Sequence, residues 1–197
     1  METLHLSELV RNITPITSIL ATRFTGKRFW ELFEARLSDF NMDDIVFVSF
    51  AGVDIMDVSF ADEVFARIAT MRARKEFSYC YLILSDLNET CEDDLQAALT
   101  TRIDREPSDQ PNLRNCVLMV QTDDQLKLVG KYENHVRESF SLLMRAKELT
   151  ARDLAQSLNI SLNAASTRLK SIADLGLAHR VEMRDEQGKQ YIYHSLL

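Results

Sequence analysis

The chain has 197 residues, 46% hydrophobic and 27% charged, the proportions of a globular protein with room for one large domain or two small ones. With 5 Gly and 3 Pro, and no apolar run approaching the ~20 residues of a membrane-spanning helix, it is not a collagen-like repeat, a low-complexity chain or a helical membrane protein. The net charge of −7 is unevenly placed: from His135 onward nine Lys and Arg face seven Asp and Glu (+2), leaving 14 against 23 (−9) before that point.

Such asymmetry suggests two modules, the second better suited to an anionic partner. The start, Met1-Glu2-Thr3-Leu4-His5, lacks the basic stretch and apolar core of a secretory signal, so a cytoplasmic location and no membrane partner are expected. Three cysteines with no CxxC spacing predict neither a disulfide framework nor a zinc site. Cys80 and Cys116 lie in apolar runs, and Cys91 has the acidic neighbours Glu92, Asp93 and Asp94, so none is expected to be a reactive thiolate.

In chain order, Phe29, Leu32, Phe33, Leu37 and Phe40 recur at helical spacing and predict an amphipathic helix from Thr25 to about Asp39. The β-branched and aromatic run Ile45–Phe50, closed by Ala51-Gly52, predicts a strand. Ala61, Val64, Phe65, Ile68 and Met71 share a helical face that ends in the basic Arg72-Ala73-Arg74-Lys75. Tyr79–Leu84 and Cys116–Gln121 read as further strands, Asp94–Arg102 as a helix, and Glu106–Asn112, with two of the three prolines, as a loop. Strands separated by helices predict a layered α/β domain over residues 1–122, its sheet mixed if the N-terminal residues add an antiparallel strand.

Residues 123–147 have one turn signal, Gly130, and an apolar stripe of Leu126, Val129, Val136, Phe140 and Leu143. They predict a helical connector whose stripe packs on the next module and in part against a second subunit. Beyond it, Thr150 and Asp153 have the spacing of a capping box before a short helix. A turn at Asn159-Ile160-Ser161 leads to a second helix capped by Ser161, with Ala165, Leu169 and Ile172 inward and Gly176 at its end. Two β-rich runs, Ala178–Met183 and Gln190–His194, flank the polar Arg184–Lys189 and predict a hairpin.

Helix, turn, helix and hairpin over residues 148–197 resemble a winged helix-turn-helix, on the residues Leu149-Thr150-x-x-Asp153-Leu154-Ala155, Ile160-Ser161, Ala164-Ala165-Ser166-x-Arg168-Leu169 and Leu175-Gly176-Leu177. The resemblance implies an α+β module that binds duplex DNA as a transcriptional regulator. Helical geometry sets Asn163, Thr167 and Lys170 opposite the inner face, with Ser166 and Arg168 on the flanks. Asn, Thr and Ser hydroxyl or amide groups suit base edges, and Lys170, Arg168, Arg180, Arg184 and Lys189 suit phosphates. Glu182, Asp174, Asp185 and Glu186 dilute that field, which leaves open a module used for protein docking or dimerisation.

Phe50–Glu63, with Ser59-Phe60-Ala61-Asp62-Glu63 at its end, and Thr22–Arg28 resemble STAS-like domains, in particular a prokaryotic branch with a Ser-Phe-Ala-Asp-Glu signature. The resemblance implies a sensing or docking module for a signalling protein, as in anti-sigma-factor antagonists. In those antagonists the phosphorylated serine directly follows an Asp, whereas Val58 follows Asp57 here. Asp57 and Ser59 are therefore candidates for docking or a switch, while the Ser59–Asp62 spacing predicts Ser59 as a helix N-cap.

Nothing predicts catalysis. His5, His135, His179 and His194 lack metal-ligand spacing, there is no glycine-rich phosphate loop, and the adjacent pairs Asp93-Asp94 and Asp123-Asp124 diverge on any regular element. No cofactor, metal or catalytic residue is expected. The sequence thus reads as a homodimeric regulator binding duplex DNA, or alternatively as a protein-interaction component of an anti-sigma-antagonist-like system.

Overall fold

The β-branched runs of the N-terminal half pair edge to edge, with amphipathic helices supplying the crossovers between them. The computed structural model describes residues 1–105, 114–123, 125–185 and 188–197. The loop expected at Glu106–Asn112, and Asp124, Glu186 and Gln187, lie outside the described residues. The chain divides into two compact units, Met1–Tyr132 and Glu133–Leu197.

The first unit begins with β1 (Glu2–His5), α1 (Leu6–Leu9), β2 (Ile19–Leu20), α2 (Arg23–Leu37) and β3 (Ile45–Ser49). It continues through β4 (Ile55–Met56), α3 (Val58–Ala61), a π-helical turn (Asp62–Ala66), α4 (Arg67–Ala73), β5 (Tyr81–Ser85), α5 (Glu89–Arg105), β6 (Cys116–Thr122) and β7 (Gln125–Lys131). Its sheet has the order β1-β3-β5-β6-β7. The first four strands are parallel and β7 is antiparallel to β6. The sheet is mixed, as anticipated, but the N-terminal strand is a parallel one and the antiparallel member comes from the segment expected to be helical.

Strand alternation sends Val46, Val48, Leu82, Leu84, Leu118 and Val120 into one core with Phe29, Phe33, Phe60 and Phe65. Phe29 stacks at 5.2 Å on Phe33 and at 5.4 Å on Phe60, which ties α2 to α3. Trp30, 2% exposed, lies in the same core with the Arg67 guanidinium 4.4 Å over its ring. Gly26 permits the close approach of α2 to the π turn, since a Cβ there would sit 2.9 Å from Glu63 Cβ. The π turn buries Asp62 and Glu63. Arg23 bonds both carboxylates, at 3.0 Å to Asp62, and Arg102 reaches the other oxygen of Asp62 at 3.4 Å.

The connector expected at 123–147 is two different elements. Leu126 and Leu128 alternate with Lys127 and Val129 along β7, and the i, i+3 spacing of Leu126 and Val129 mimics a helix. Gly130 decides for the strand: its φ is +121°, and a Cβ would fall 2.2 Å from the Cys116 carbonyl oxygen. Gln96 of α5 then brackets Gly130, accepting its N–H at 2.7 Å and donating to its carbonyl at 3.3 Å. Val129 joins the first unit's core, whereas Val136, Phe140 and Leu143 are buried on α6 (Asn134–Ala146) of the second unit. The supposed continuous stripe for a second subunit is thus divided between two separate cores.

The second unit continues from α6 through β8 (Glu148–Thr150), α7 (Ala151–Leu158), α8 (Leu162–Asp174), β9 (His179–Asp185) and β10 (Gly188–His194). Its antiparallel sheet has the order β8-β10-β9. Val136, Phe140, Leu143, Leu154, Ala165, Leu169, Ile172 and Tyr193 are among its buried side chains. Thr150 accepts from the Asp153 N–H and the Asp153 carboxylate accepts from the Thr150 N–H, a complete capping box. Ser161 caps α8, and Asn159 makes the turn between the helices at φ +52°. Beyond α8, the Leu177 N–H donates to the Ile172 carbonyl and the Gly176 N–H to that of Ala173. Gly176, at φ +71°, completes a Schellman ending.

The cap of α3 differs from expectation. Asp57, not Ser59, is the N-cap: its Oδ1 accepts the Phe60 N–H at 2.7 Å and its Oδ2 accepts the Thr22 N–H at 2.8 Å. Ser59 stands inside the first turn. Asp57→Ala should therefore cost about 1–2 kcal/mol, the range of a lost N-cap, and Ser59→Ala no more than about 0.5 kcal/mol, as for a substitution outside such a feature. Denaturant titrations of both variants followed by circular dichroism check the contrast.

Candidate functional site

α8 is amphipathic because its apolar residues recur every three or four positions, and the same period gathers its polar ones. Ala165, Leu169 and Ile172 are buried. Asn163, Ser166, Thr167 and Lys170, at i, i+3, i+4 and i+7, are all exposed. Four of the expected contact residues therefore form one stripe, with Ser166 in it rather than on its flank. The Thr167 hydroxyl donates to the Asn163 carbonyl at 2.9 Å, so it faces a ligand as an acceptor. Lys170 has no ion-pair partner among the described residues.

Arg168 is placed differently. Its guanidinium bonds Glu138 of α6 at 2.9 Å, with 26% of its side chain exposed, so it ties two helices of the unit together instead of extending toward a phosphate. On the hairpin, Glu182 gathers two of the expected cations, bonding Arg184 at 3.0 Å and Lys189 at 2.6 Å. These bonds lower the Glu182 carboxyl below its ordinary pKa, Lys189 being the larger cause, and raise the Lys189 ammonium. Arg180 lies 3.5 Å over the Tyr191 ring and 5.9 Å from Tyr193. Its charge is held at the base of the hairpin rather than at the tip.

Between the stripe and the hairpin is a cavity of about 300 Å³. Thr150 and Arg152 of the α7 start, Asn163 and Ser166 of the α8 start, and Lys189 and Tyr191 of β10 line it. Residues near two helix starts thus meet an arginine, a lysine, an amide and an aromatic ring. That combination can hold a phosphate or a base edge and stack against a planar group. Arg152, Gln190 and Tyr191 were missed by sequence reasoning. Arg152 could have been found from its place in the first turn after the Thr150 cap, because that turn must lie beside the start of the next helix. Tyr191 needed the hairpin register, which pairs it with Glu182.

In the first unit, Asp57 uses both carboxylate oxygens on backbone N–H groups, as described above, and Ser59 is half-buried. The three cysteines are buried thiols outside any disulfide. Burial pushes the Cys80 thiol up to about 11. Among the described residues no group of three or more His, Cys, Asp or Glu is placed to hold a metal ion, and no helix is long and apolar enough to cross a membrane. Comparison with protein-family models, curated proteins and solved structures finds no match to the chain.

The capping box at the edge of the cavity carries a pH dependence. Hydrogen bonds from the Thr150 hydroxyl and N–H hold the Asp153 carboxyl below the usual aspartate range. A carboxyl depressed on folding stabilises fully above its unfolded pKa and loses that contribution as pH falls through its folded value. Asp153→Asn should accordingly flatten the acid-side decline in the stability of the second unit, checked by thermal melts from neutral pH down to the acid range.

Proposed function

We propose that the second unit is a winged helix-turn-helix that binds duplex DNA, with α8 in the major groove and the β9–β10 hairpin as the wing. The observation that carries the reading is the exposed stripe Asn163, Ser166, Thr167 and Lys170, continuous with the Arg152 and Lys189 cavity. Side chains of these types read base edges through hydrogen bonds, while lysine, arginine and helix N-termini fix the duplex by its phosphates. The first unit, on its STAS-like resemblance, is a sensing or docking module whose partner or ligand modulates the second. A two-fold DNA site implies two copies of the chain, joined through surface other than the buried Val129, Val136, Phe140 and Leu143.

A second reading, in which the module docks proteins, is favoured by one feature. Glu182 neutralises two of the three wing cations, Arg184 and Lys189, and phosphate binding depends on displacing counterions with unopposed positive charge. In the DNA reading, Glu182 is released as phosphates take its partners, and it moderates affinity.

Binding of the purified protein to a randomised duplex pool at a series of salt concentrations tests the proposal. Lys170→Ala should weaken binding across sequences and reduce the salt slope by about 1, whereas Asn163→Ala should relax preference at one or two base pairs by about 1–3 kcal/mol. Glu182→Gln should tighten binding. Absence of salt-sensitive DNA binding by the wild-type protein would leave the docking reading in its place.

A further inference from the structure

The parallel strands of the first unit end in a row of polar side chains. His5, Ser49 and Ser85 are the last residues of β1, β3 and β5 and are register partners across the sheet. Gln121 continues the row on β6, one residue beyond the paired Leu84 and Val120. By strand alternation this row lies on the face opposite Val48, Leu84 and Val120, which belong to the helix-packed core. The row's four side chains are a histidine, two serines and a glutamine. They line a cavity of about 760 Å³, within the size range of small-molecule sites. It lies at the carboxyl ends of the strands, where open α/β sheets bind ligands.

Asp86 follows the row in the left-handed region, at φ +60°, which Asp and Asn adopt more readily than other residues with side chains. It aims its carboxylate at the row: Oδ2 accepts from Ser49 at 2.6 Å and from Ser85 at 3.0 Å. Ser49 is 1% exposed, so that one oxygen is fixed by a buried donor. Oδ1 takes no bond from the described residues. Asp123, also left-handed at φ +47°, stands on the rim, and Phe47 supplies an apolar wall. Among the described residues, no lysine or arginine lines the cavity.

We propose that this cavity binds a small neutral or cationic molecule bearing hydroxyl or ammonium donors, of the size and chemistry of a sugar or amino sugar. Asp86 Oδ1 accepts from the ligand's donors, and His5 and Gln121 bond its further polar groups. Phe47 meets the apolar face of its ring. With two carboxylates and no lysine or arginine among the described lining residues, the cavity disfavours anions. The inference goes beyond the DNA-binding reading by naming a ligand class for the first unit, and it stands without that reading, because ligand binding is measured on the protein alone.

The test is calorimetric titration of the full chain, without DNA, with glucosamine, glucose and glucose 6-phosphate. Glucosamine should bind at least as tightly as glucose, and both should bind well ahead of the phosphate ester. Asp86→Asn keeps a residue that tolerates the left-handed backbone and should weaken glucosamine by roughly tenfold or more, as expected for a lost hydrogen bond to a charged group. His5→Ala, at an exposed strand end that tolerates truncation, should weaken it severalfold. No saturable binding of glucosamine or glucose at tens of millimolar overturns the proposal. So does tightest binding of the phosphate ester, or unchanged glucosamine affinity in either variant once circular dichroism shows it folded. Loss of DNA binding in a separate assay bears only on the second unit.

Discussion

The first unit depends on one carboxylate. Asp57 takes the Phe60 N–H on one oxygen and the Thr22 N–H on the other, so the starts of α2 and α3 are fixed to the same side chain. Both helices begin after the two short parallel strands β2 and β4, which pair Ile19 with Ile55 and Leu20 with Met56. With the helix starts fixed, the aromatic residues Phe29, Phe33 and Phe60 meet in register. Gly26 then comes within a Cβ's width of the π turn. The π turn in turn buries Asp62 and Glu63 where Arg23, the first residue of α2, can reach them. Buried carboxylates are costly unless paired, so the pairing with Arg23 and Arg102 is a condition of that turn. Asp57 thus has a structural duty at each oxygen, one to each helix start.

The second unit solves a different problem. It has few residues and a small core, and much of its definition comes from the ends of its helices. The Thr150–Asp153 box, the Ser161 cap, the left-handed Asn159 and the Gly176 ending leave few donors or acceptors of α7 and α8 unsatisfied. Fixed ends matter because the cavity is lined from near the starts of both helices, and the polar stripe of α8 begins there. Charge is arranged with equal economy: Arg168 serves α6, Arg180 serves the tyrosines of β10, and Glu182 holds Arg184 and Lys189. The exposed cations at the stripe and cavity are Lys170, Arg152 and Lys189, the last of them held by Glu182.

Much of this was legible from residues that decide structure locally. Ile45–Ser49 and Tyr81–Ser85 are strands because β-branched and aromatic residues fill a buried sheet, and the caps of α7 and α8 follow from hydroxyl, carboxyl and glycine at fixed offsets. The failures share a cause. Ser59 and Asp57 both precede an N–H three residues on, and the choice of Asp57 rests on Thr22, which lies 35 residues earlier in the chain. Arg168 reads as a free cation until Glu138, 30 residues away, is brought beside it. β7 was mistaken for helix because two periods coincide over Leu126 and Val129, and the contact that excludes a side chain at Gly130 comes from Cys116 on the neighbouring strand. The polar row beneath Asp86 was invisible for the same reason, since its members belong to four strands.

Trp30 is the chain's single tryptophan, and it is packed in the first unit under the guanidinium of Arg67. The second unit has no tryptophan, and its tyrosines, Tyr191 and Tyr193, are both on β10. Indole emission therefore reports the first unit alone. The protein carries its own optical label for that unit, so its unfolding can be followed apart from the whole-chain backbone signal without adding a dye.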